Sequence, residues 1–210
     1  MDIIFDFDGV IINSHKVKSH AFYNLFKNYG NNIALKAKSY HENNIGKSRY
    51  FKFRFIAKNF LNKKLTKKEL LRLDKSFDFF VEKKIKKMMP SKYLLKFLDS
   101  KKKLHNFYIS TGTPQKKIIK ILKDKKLSYF FKKIYGSPTS KITHIKKIKK
   151  RDIKILFIGD SFDDYKVAKK TDINFILKLN SENLLFRNKI NVKKINSFKY
   201  LNKYVDFLQS

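Results

Sequence analysis

Apolar residues occur in short runs along the chain, and the runs end in small or polar residues. Runs of this kind are typical of buried strands that lead into turns. The pattern predicts strands at residues 3–7, 107–109, 134–135, 153–158 and 173–179. The third of these is weak, because only two apolar residues follow each other there.

Apolar residues at helical spacing fill most of the intervals between these strands. An amphipathic stretch runs over residues 16–29 and ends at Gly30, a residue that commonly closes helices. A lysine-rich helical pattern continues over about residues 34–88, with almost no strand-forming chemistry, until Pro90. Further helices are predicted at residues 91–99, around 118–122, at 139–149, after residue 161 and at 197–208.

The order of these elements predicts the fold class. Outside residues 14–88 strands and helices alternate, which is typical of an α/β fold with a parallel sheet covered on both faces. Residues 14–88 are helical in pattern and lie between the first two strands, which indicates an inserted domain. We therefore predict an α/β core domain from residues 1–13 and 89–210, with an inserted α-helical domain from residues 14–88.

The formal net charge of the 210-residue chain is +33, which is common in proteins that bind nucleic acid or anionic membranes. The excess is almost all lysine, with 45 lysines against 5 arginines. Lys, Asn, Ile and Phe make up about half of the chain, and A/T-rich codons encode all four, so genome composition accounts for most of the bias. Scarce arginine also disfavours base-specific contacts. We predict no nucleic-acid partner, keep nucleic-acid binding as a distant alternative, and expect the positive field to attract phosphorylated substrates.

Three absences narrow the class of protein and its chemistry further. The chain has no cysteine, which excludes disulfides, thiolate metal sites and a thiol nucleophile. No apolar run approaches the roughly 18 residues that a membrane span requires, and no basic segment followed by an apolar stretch marks a signal peptide. We therefore expect a cytoplasmic protein without membrane contacts.

Polar residues suited to phosphate chemistry follow the predicted strands. In chain order they are Asp6 and Asp8, Ser110 and Thr111, Lys141, and Asp160 with Asp163 and Asp164. Since open parallel sheets place their sites beyond the carboxyl ends of their strands, we expect these side chains to converge at one edge.

Several carboxylates in one crevice repel each other and require a divalent cation. Oxygen-only ligands favour Mg²⁺, which commonly also takes a substrate phosphate oxygen. A carboxylate beside the cation and a lysine stays ionised and can attack phosphorus, while a second carboxyl group two residues away can donate a proton to the leaving oxygen. Ser110, a backbone N–H near Thr111, Lys141 and Mg²⁺ would stabilise the transferred phosphoryl group. The predicted chemistry is Mg²⁺-dependent phosphoryl transfer.

Four segments resemble, in order and spacing, the motifs of the haloacid dehalogenase superfamily of phosphohydrolases. They are residues 5–10, 109–114, 136–141 and 157–164, and the resemblance spans about residues 1–178. The Asp-x-Asp-Gly of the first segment alone would also suit a turn or a calcium loop, but the four together at strand ends are specific. The resemblance implies a Rossmann-like core with an inserted helical cap, as in phosphoglycolate phosphatase-like and β-phosphoglucomutase-like members.

The resemblance also implies a role for each phosphate-handling residue. Asp6 would be the nucleophile, and Asp8 would be the general acid and base and lend its backbone carbonyl to the metal. Ser110 and Thr111 would bind the phosphoryl oxygens. Lys141 would neutralise the nucleophile and the phosphate, although the Lys-Pro pair common in the third motif is missing here.

The metal site that the resemblance implies consists of Asp6, Asp8, Asp160 and Asp164. Asp160 would ligate Mg²⁺ directly. Asp164 would either support the metal or orient the lysine, and its neighbour Asp163 is left as an alternative for that role.

Arg49 is the candidate substrate contact in the cap. Residues 46–49 resemble a cap segment of β-phosphoglucomutase-like members, and a guanidinium there could clamp a second phosphate or a carboxylate.

Family dehalogenases lack a second aspartate, so Asp8 favours phosphoryl transfer. A small cap implies a small phosphorylated metabolite, such as a sugar phosphate, phosphoglycolate or a nucleotide. A phosphatase is the primary prediction, a phosphomutase is the alternative, and the oligomeric state is left open.

Overall fold

The computed structural model describes residues 1–150, 152–183 and 186–209 of the chain. The chain divides into two compact units, one made of Met1–Asn13 with Met89–Ser210 and the other of Ser14–Met88. We call the first the sheet unit and the second the helical unit. No helix in the described ranges is long and apolar enough to cross a membrane.

The helical unit contains four α-helices. They are α1 (His15–Phe26), α2 (Asn31–Glu42), α3 (Arg49–Phe60) and α4 (Lys67–Lys87). Its core is aromatic, since the Phe22 ring contacts the rings of Phe53 and Phe77, with centroids 5.5 and 5.4 Å away. Thr66 and Glu69 form a capping box that starts α4. Helices α1, α3 and α4 therefore pack around a shared aromatic core.

Within the described residues, the sheet unit is built on six parallel strands. They are β1 (Asp2–Phe5), β2 (Asn106–Pro114), β3 (Phe131–Ser137), β4 (Ile155–Gly159), β5 (Asn174–Lys178) and β6 (Lys193–Ile195). Their order in the sheet is β3-β2-β1-β4-β5-β6, and each neighbouring pair is parallel. Strand order reverses between β1 and β4, and ligands bind beyond the carboxyl ends of strands at such a switch point.

Among the described residues, four α-helices of the sheet unit lie between these strands along the chain and a fifth follows β6. They are α5 (Lys92–Lys101), α6 (Gln115–Asp124), α7 (Lys141–Ile148), α8 (Phe162–Thr171) and α9 (Leu201–Gln209). Alternate side chains of β1 point to opposite faces of the sheet. On one face Ile4 belongs to an apolar cluster with Ile145 of α7 and Ala168 of α8. On the other face the Phe5 ring lies 6.4 Å from the ring of Phe198, just before α9. Both faces are therefore covered.

The strand register decides which residues reach the carboxyl edge together. Phe5 of β1 lies beside Ile109 of β2 and Ile158 of β4. Asp6 then donates its backbone N–H to the Ile158 carbonyl at 2.9 Å. Asp6 and Ser110 each come directly after one of these aligned residues, so they lie at the same level of the sheet edge.

The predicted fold class is confirmed, because a parallel sheet flanked by helices forms the sheet unit. The strands lie where predicted with shifted bounds: β1 ends at Phe5 instead of residue 7, and β2 continues past residue 109 to Pro114. The weak strand at residues 134–135 begins earlier, at Phe131, where two exposed lysines interrupt the apolar pattern. The sequence also did not predict β6, which has three residues of which two are lysines.

Candidate active site

Three buried carboxyl groups meet beyond the carboxyl ends of β1 and β4. Asp6 follows β1, Asp160 follows β4, and Asp164 lies in the first turn of α8. One oxygen of each group lies within 4.8 Å of the other two, and each residue is at most 2% exposed. Buried charges need partners of opposite charge, so a cluster of this kind requires cations.

Lys141 supplies one of these cations. It is the first residue of α7, which Ser140 caps by accepting a hydrogen bond from the Thr143 N–H at 3.2 Å. The Lys141 Nζ lies 3.0 Å from Asp6 Oδ1 and 2.6 Å from Asp164 Oδ1. Burial alone would lower the pKa of Lys141. The two carboxylates raise it by more than burial lowers it, so the net pKa lies above its usual value. Lys141 is therefore charged at neutral pH.

The remaining imbalance of charge fits a divalent cation. Burial raises the pKa of Asp6 to about 8, against the opposing effect of Lys141, and Asp164, Asp160 and Asp8 add to the rise. A divalent cation among these acids would restore the ionised form of Asp6. The cluster offers carboxylate oxygens, which are the hard donors that Mg²⁺ prefers. The residues present therefore fit a magnesium ion.

Asp164 is held in place by the start of α8. Its Oδ2 accepts hydrogen bonds from the N–H and the Oγ–H of Ser161, at 3.2 and 2.7 Å, and its own N–H donates to Ser161 Oγ. Gly159 makes room for it, because a Cβ at that position would lie 2.5 Å from the Asp164 Cβ. Asp163 is half-buried and is not part of the acidic cluster found among the described residues. The structure therefore brings Asp164 to the cluster.

Two asparagines that the sequence analysis missed hold Asp160. Asn180 Nδ2 donates to Asp160 Oδ2 at 2.6 Å. Asn183 Nδ2 donates to the backbone carbonyls of Asp160 and Lys178, and its Oδ1 accepts from the Asn180 N–H at 3.2 Å. The loop after β5 thus orients the carboxylate. In a chain with many asparagines, no motif marks these two.

Asp8 lies two residues after Asp6, in a tight turn where Gly9 adopts a φ of 78°. Its Oδ2 accepts a hydrogen bond from Thr113 Oγ1 at 3.0 Å. Thr111 Oγ1 accepts from the Thr113 N–H at 3.2 Å, so the Thr111 hydroxyl organises the end of β2. Thr113 is a further contributor that the sequence analysis did not single out.

Ser110 is fully buried in β2, and its Oγ lies 3.0 Å from His144 Nδ1 in α7. The His144 ring is 1% exposed and stacks on Tyr135, with centroids 5.3 Å apart. Burial, and then the charge of Lys141, lower the pKa of His144 to about 4. The imidazole next to Ser110 is therefore neutral at neutral pH. Sequence reasoning passed over His144 because a lone histidine in a lysine-rich helix forms no motif.

Arg49 lies at the start of α3 in the helical unit and is 8% exposed. Its Nε lies 2.7 Å from Asp74 Oδ1 and its Nη1 lies 2.8 Å from Asp78 Oδ1. The guanidinium also lies 4.9 Å from the centre of the Phe77 ring. In the structure its charge is balanced inside its own unit, and a contact between Arg49 and substrate stays a prediction.

Comparison with solved structures finds proteins of the same fold. The chain is similar to a predicted phosphoglycolate phosphatase from Haemophilus somnus, with 17% identity, 97% of each chain covered and a TM-score of 0.72. It is similar to β-phosphoglucomutase from Clostridium difficile, with 19% identity, 100% and 99% coverage and a TM-score of 0.70. A HAD-hydrolase from Bacillus subtilis, bound to magnesium, matches with 16% identity, 98% coverage of each chain and a TM-score of 0.64.

Curated protein sequences give no significant match to the chain. A family model, in contrast, matches residues 3–178, which contain Asp6, Ser110, Lys141, Asp160 and Asp164. The match covers most of the sequence and all the strand ends at which the acids and the lysine meet. By this match, the chain belongs to the haloacid dehalogenase-like hydrolase family.

Proposed function

We propose that the protein is a Mg²⁺-dependent phosphatase that hydrolyses a small phosphomonoester through a phosphorylated Asp6. One observation carries the proposal: Asp6 is fully buried between a lysine and two further carboxylates at the switch point of the sheet. A buried carboxylate paired with a fixed cation is a nucleophile that bulk water does not solvate.

Asp6, Asp160 and Asp164, with the backbone carbonyl of Asp8, would hold the magnesium ion. When bound, the ion supplies positive charge to the phosphate oxygens and lowers the repulsion between substrate and acids. Asn180 keeps the Asp160 carboxylate pointed at the cluster through its 2.6 Å hydrogen bond. Asp164 acts in addition through its ion pair with the lysine.

In the first step a carboxylate oxygen of Asp6 attacks phosphorus and forms the new P–O bond. The bond to the leaving oxygen breaks, and Asp8 gives that oxygen its proton. In the second step Asp8 takes a proton from water, which attacks phosphorus and releases inorganic phosphate and the Asp6 carboxylate. Thr113 supports Asp8 in both steps, because its hydroxyl donates to Asp8 Oδ2.

The phosphoryl group in transfer carries spread negative charge that fixed donors stabilise. Lys141 supplies a charged ammonium at the same place, since its Nζ lies 3.0 Å from the Asp6 oxygen. Ser110 and the backbone N–H near Thr111 would bind the other phosphoryl oxygens. We assign the helical unit the role of the family's cap. Within it, Arg49 is the candidate residue for contacting and selecting the substrate.

Phosphomutase activity is the second candidate. It is supported by similarity to a β-phosphoglucomutase over the full length of both chains, and it requires the same residues with a sugar hydroxyl in place of water. The matching family model describes hydrolases, whereas the similarity to the mutase concerns the fold alone, so we rank phosphatase first. Nucleic-acid binding driven by the net charge of +33 would have an affinity that falls steeply with salt concentration and that depends on neither Asp6 nor magnesium.

The test is phosphate release from a panel of small phosphomonoesters, measured with Mg²⁺ and with a chelator. We expect Asp6→Asn to lower turnover by roughly a thousandfold or more, as loss of a covalent nucleophile does. The matched control is Asp99→Asn, the same substitution at an acid of α5 whose side chain is 67% exposed. Turnover that survives in Asp6→Asn would refute the mechanism, and conversion to an isomer without free phosphate would favour the mutase.

A further inference from the structure

A buried histidine lies against the serine of the site, and the mechanism above does not use it. His144 Nδ1 is 3.0 Å from Ser110 Oγ, and the two residues are 1% and 0% exposed. Both groups are shielded from bulk water, so neither has a water molecule of the solvent to replace this partner. The histidine is thus the immediate neighbour of a proposed phosphate-binding hydroxyl.

The elements around His144 fix the position of its ring. The histidine lies on the same helix as Lys141, three residues later, so α7 positions both side chains on one face. Its ring is stacked on Tyr135 of β3 with an interplanar angle of 21°. Any displacement of the imidazole would therefore disturb the stack, and the ring can serve as a rigid support for the hydroxyl.

The protonation of the ring decides what Ser110 can offer to a ligand. Because the ring is neutral, only one of its nitrogens carries a proton. A hydrogen bond with the Gly136 backbone raises the pKa of the ring against the larger lowering by burial and Lys141, and Nδ1 faces Ser110 Oγ at 3.0 Å. In one of the two neutral tautomers the proton is on Nδ1. Nδ1 then donates to Ser110 Oγ, and the proton of Ser110 stays available to another acceptor.

We propose that His144 is a positioning residue that holds Ser110 as a donor to the phosphoryl oxygens. This rests on the proposed function, since it assigns Ser110 the phosphate-binding role. With the opposite tautomer the hydroxyl would give its proton to the ring and present only lone pairs to an anionic phosphate. In the Nδ1–H tautomer the ring donates to Ser110 Oγ, and the serine O–H can donate to a phosphoryl oxygen.

Three substitutions separate the hydrogen bond from the space that the ring fills. His144→Phe keeps a ring against Tyr135 and removes both nitrogens. In His144→Asn the amide can lie near the former Nδ1, whereas in His144→Gln it reaches the former Nε2. We expect kcat to fall about tenfold in the Phe and Gln variants, as for one lost hydrogen bond, and to recover to within about threefold of wild type in the Asn variant. His105→Phe, the same change at a histidine just before β2 that is 6% exposed, is the control for buried-ring replacement and should keep wild-type kcat.

A double-mutant cycle tests whether His144 acts through Ser110. His144→Phe introduced into Ser110→Ala should cause no further loss, because the hydroxyl that it positions is already gone. A full tenfold loss in that background would overturn the proposal. Equal losses in the Asn and Gln variants would also overturn it, because they would show that the position of the amide is irrelevant. Melting temperatures of all variants identify any that are simply unfolded.

The tautomer itself can be measured without any substrate. Imidazole ¹⁵N chemical shifts distinguish Nδ1–H from Nε2–H, and the spectrum of His144→Phe assigns the signal. We expect a neutral Nδ1–H ring at pH 7, and an Nε2–H ring would refute the inference. This readout stands apart from the proposed function, whose failure would instead be an active Asp6→Asn variant or a wild type without phosphate release.

Discussion

Gly159→Ala tests how tightly β4 and α8 must approach to form the acidic cluster. A Cβ at Gly159 would lie 2.5 Å from the Asp164 Cβ, 2.8 Å from its Cγ and 2.9 Å from its Oδ2. The nearest of these is about 0.9 Å short of an ordinary 3.4 Å contact. Because the obstacle begins at the Cβ of Asp164 and not at a flexible tip, the whole side chain must move by about that distance.

This movement disturbs two sets of contacts at once. Asp164 would leave the capping box with Ser161, which is worth about 1 kcal/mol, and its ion pair with Lys141. Charged hydrogen bonds in buried positions contribute about 1.5–3 kcal/mol. We expect the free energy of unfolding to fall by about 2–4 kcal/mol, and the melting temperature by about 5–15 °C for a chain of this size.

Thermal unfolding followed by circular dichroism, together with phosphate release, measures the effect. Gly30→Ala serves as the control, because a Cβ there meets nothing within 4 Å and only its φ of 99° is unfavourable. With ψ at 152° its backbone lies in a region open almost only to glycine, so the expected cost is about 1–3 kcal/mol, with activity retained. A Gly159→Ala protein that melts within about 1 °C of wild type, at full activity, would show that the cluster is not close-packed, contrary to this account.

Three further predictions follow from the contacts around the cluster. Asn180→Ala removes the 2.6 Å hydrogen bond to Asp160 and should weaken Mg²⁺ affinity by about tenfold in a metal titration, with kcat recovered at high Mg²⁺. Thr113→Val leaves Asp8 Oδ2 without its hydroxyl donor and should lower kcat by about tenfold in steady-state assays. The pKa of His144 is lowered from 6.5 to about 4, so the contribution of this residue to stability is full above pH 6.5 and is lost as pH falls towards 4. The free energies of unfolding of wild type and His144→Phe, measured against pH, should therefore differ by a constant amount above pH 6.5 and by a changing amount between pH 6.5 and 4.

The sheet and the convergence of acids at its edge could be predicted because they depend on local patterns. Apolar runs locate β1 and β4, and parallel order brings residues that follow the strands to one edge. Asp6 and Asp160 are near each other in the structure for this reason. Strand β6 could not be predicted, since its three residues owe their pairing to β5 and not to an apolar run of their own.

The supporting residues were out of reach for a different reason. Thr113, His144 and Asn180 form contacts with residues far away in the sequence, such as the bond between Thr113 and Asp8. Nothing local to these three residues indicates their partners, because loop paths and helix rotation decide which side chains meet. The ion pairs of Arg49 with Asp74 and Asp78 belong to the same class, since they depend on how α3 packs against α4.

The most direct test of the central claim is to find the phosphate on Asp6. The protein is mixed with the best substrate of the panel and Mg²⁺, quenched in acid, and digested with pepsin at low pH, where an aspartyl phosphate persists. The peptide that contains Asp6 is then isolated. The account predicts one added phosphoryl group on this peptide, located at Asp6 by fragmentation, removed by hydroxylamine and absent in Asp6→Asn. Rapid turnover with the phosphoryl group on another residue, such as Ser14, would contradict it.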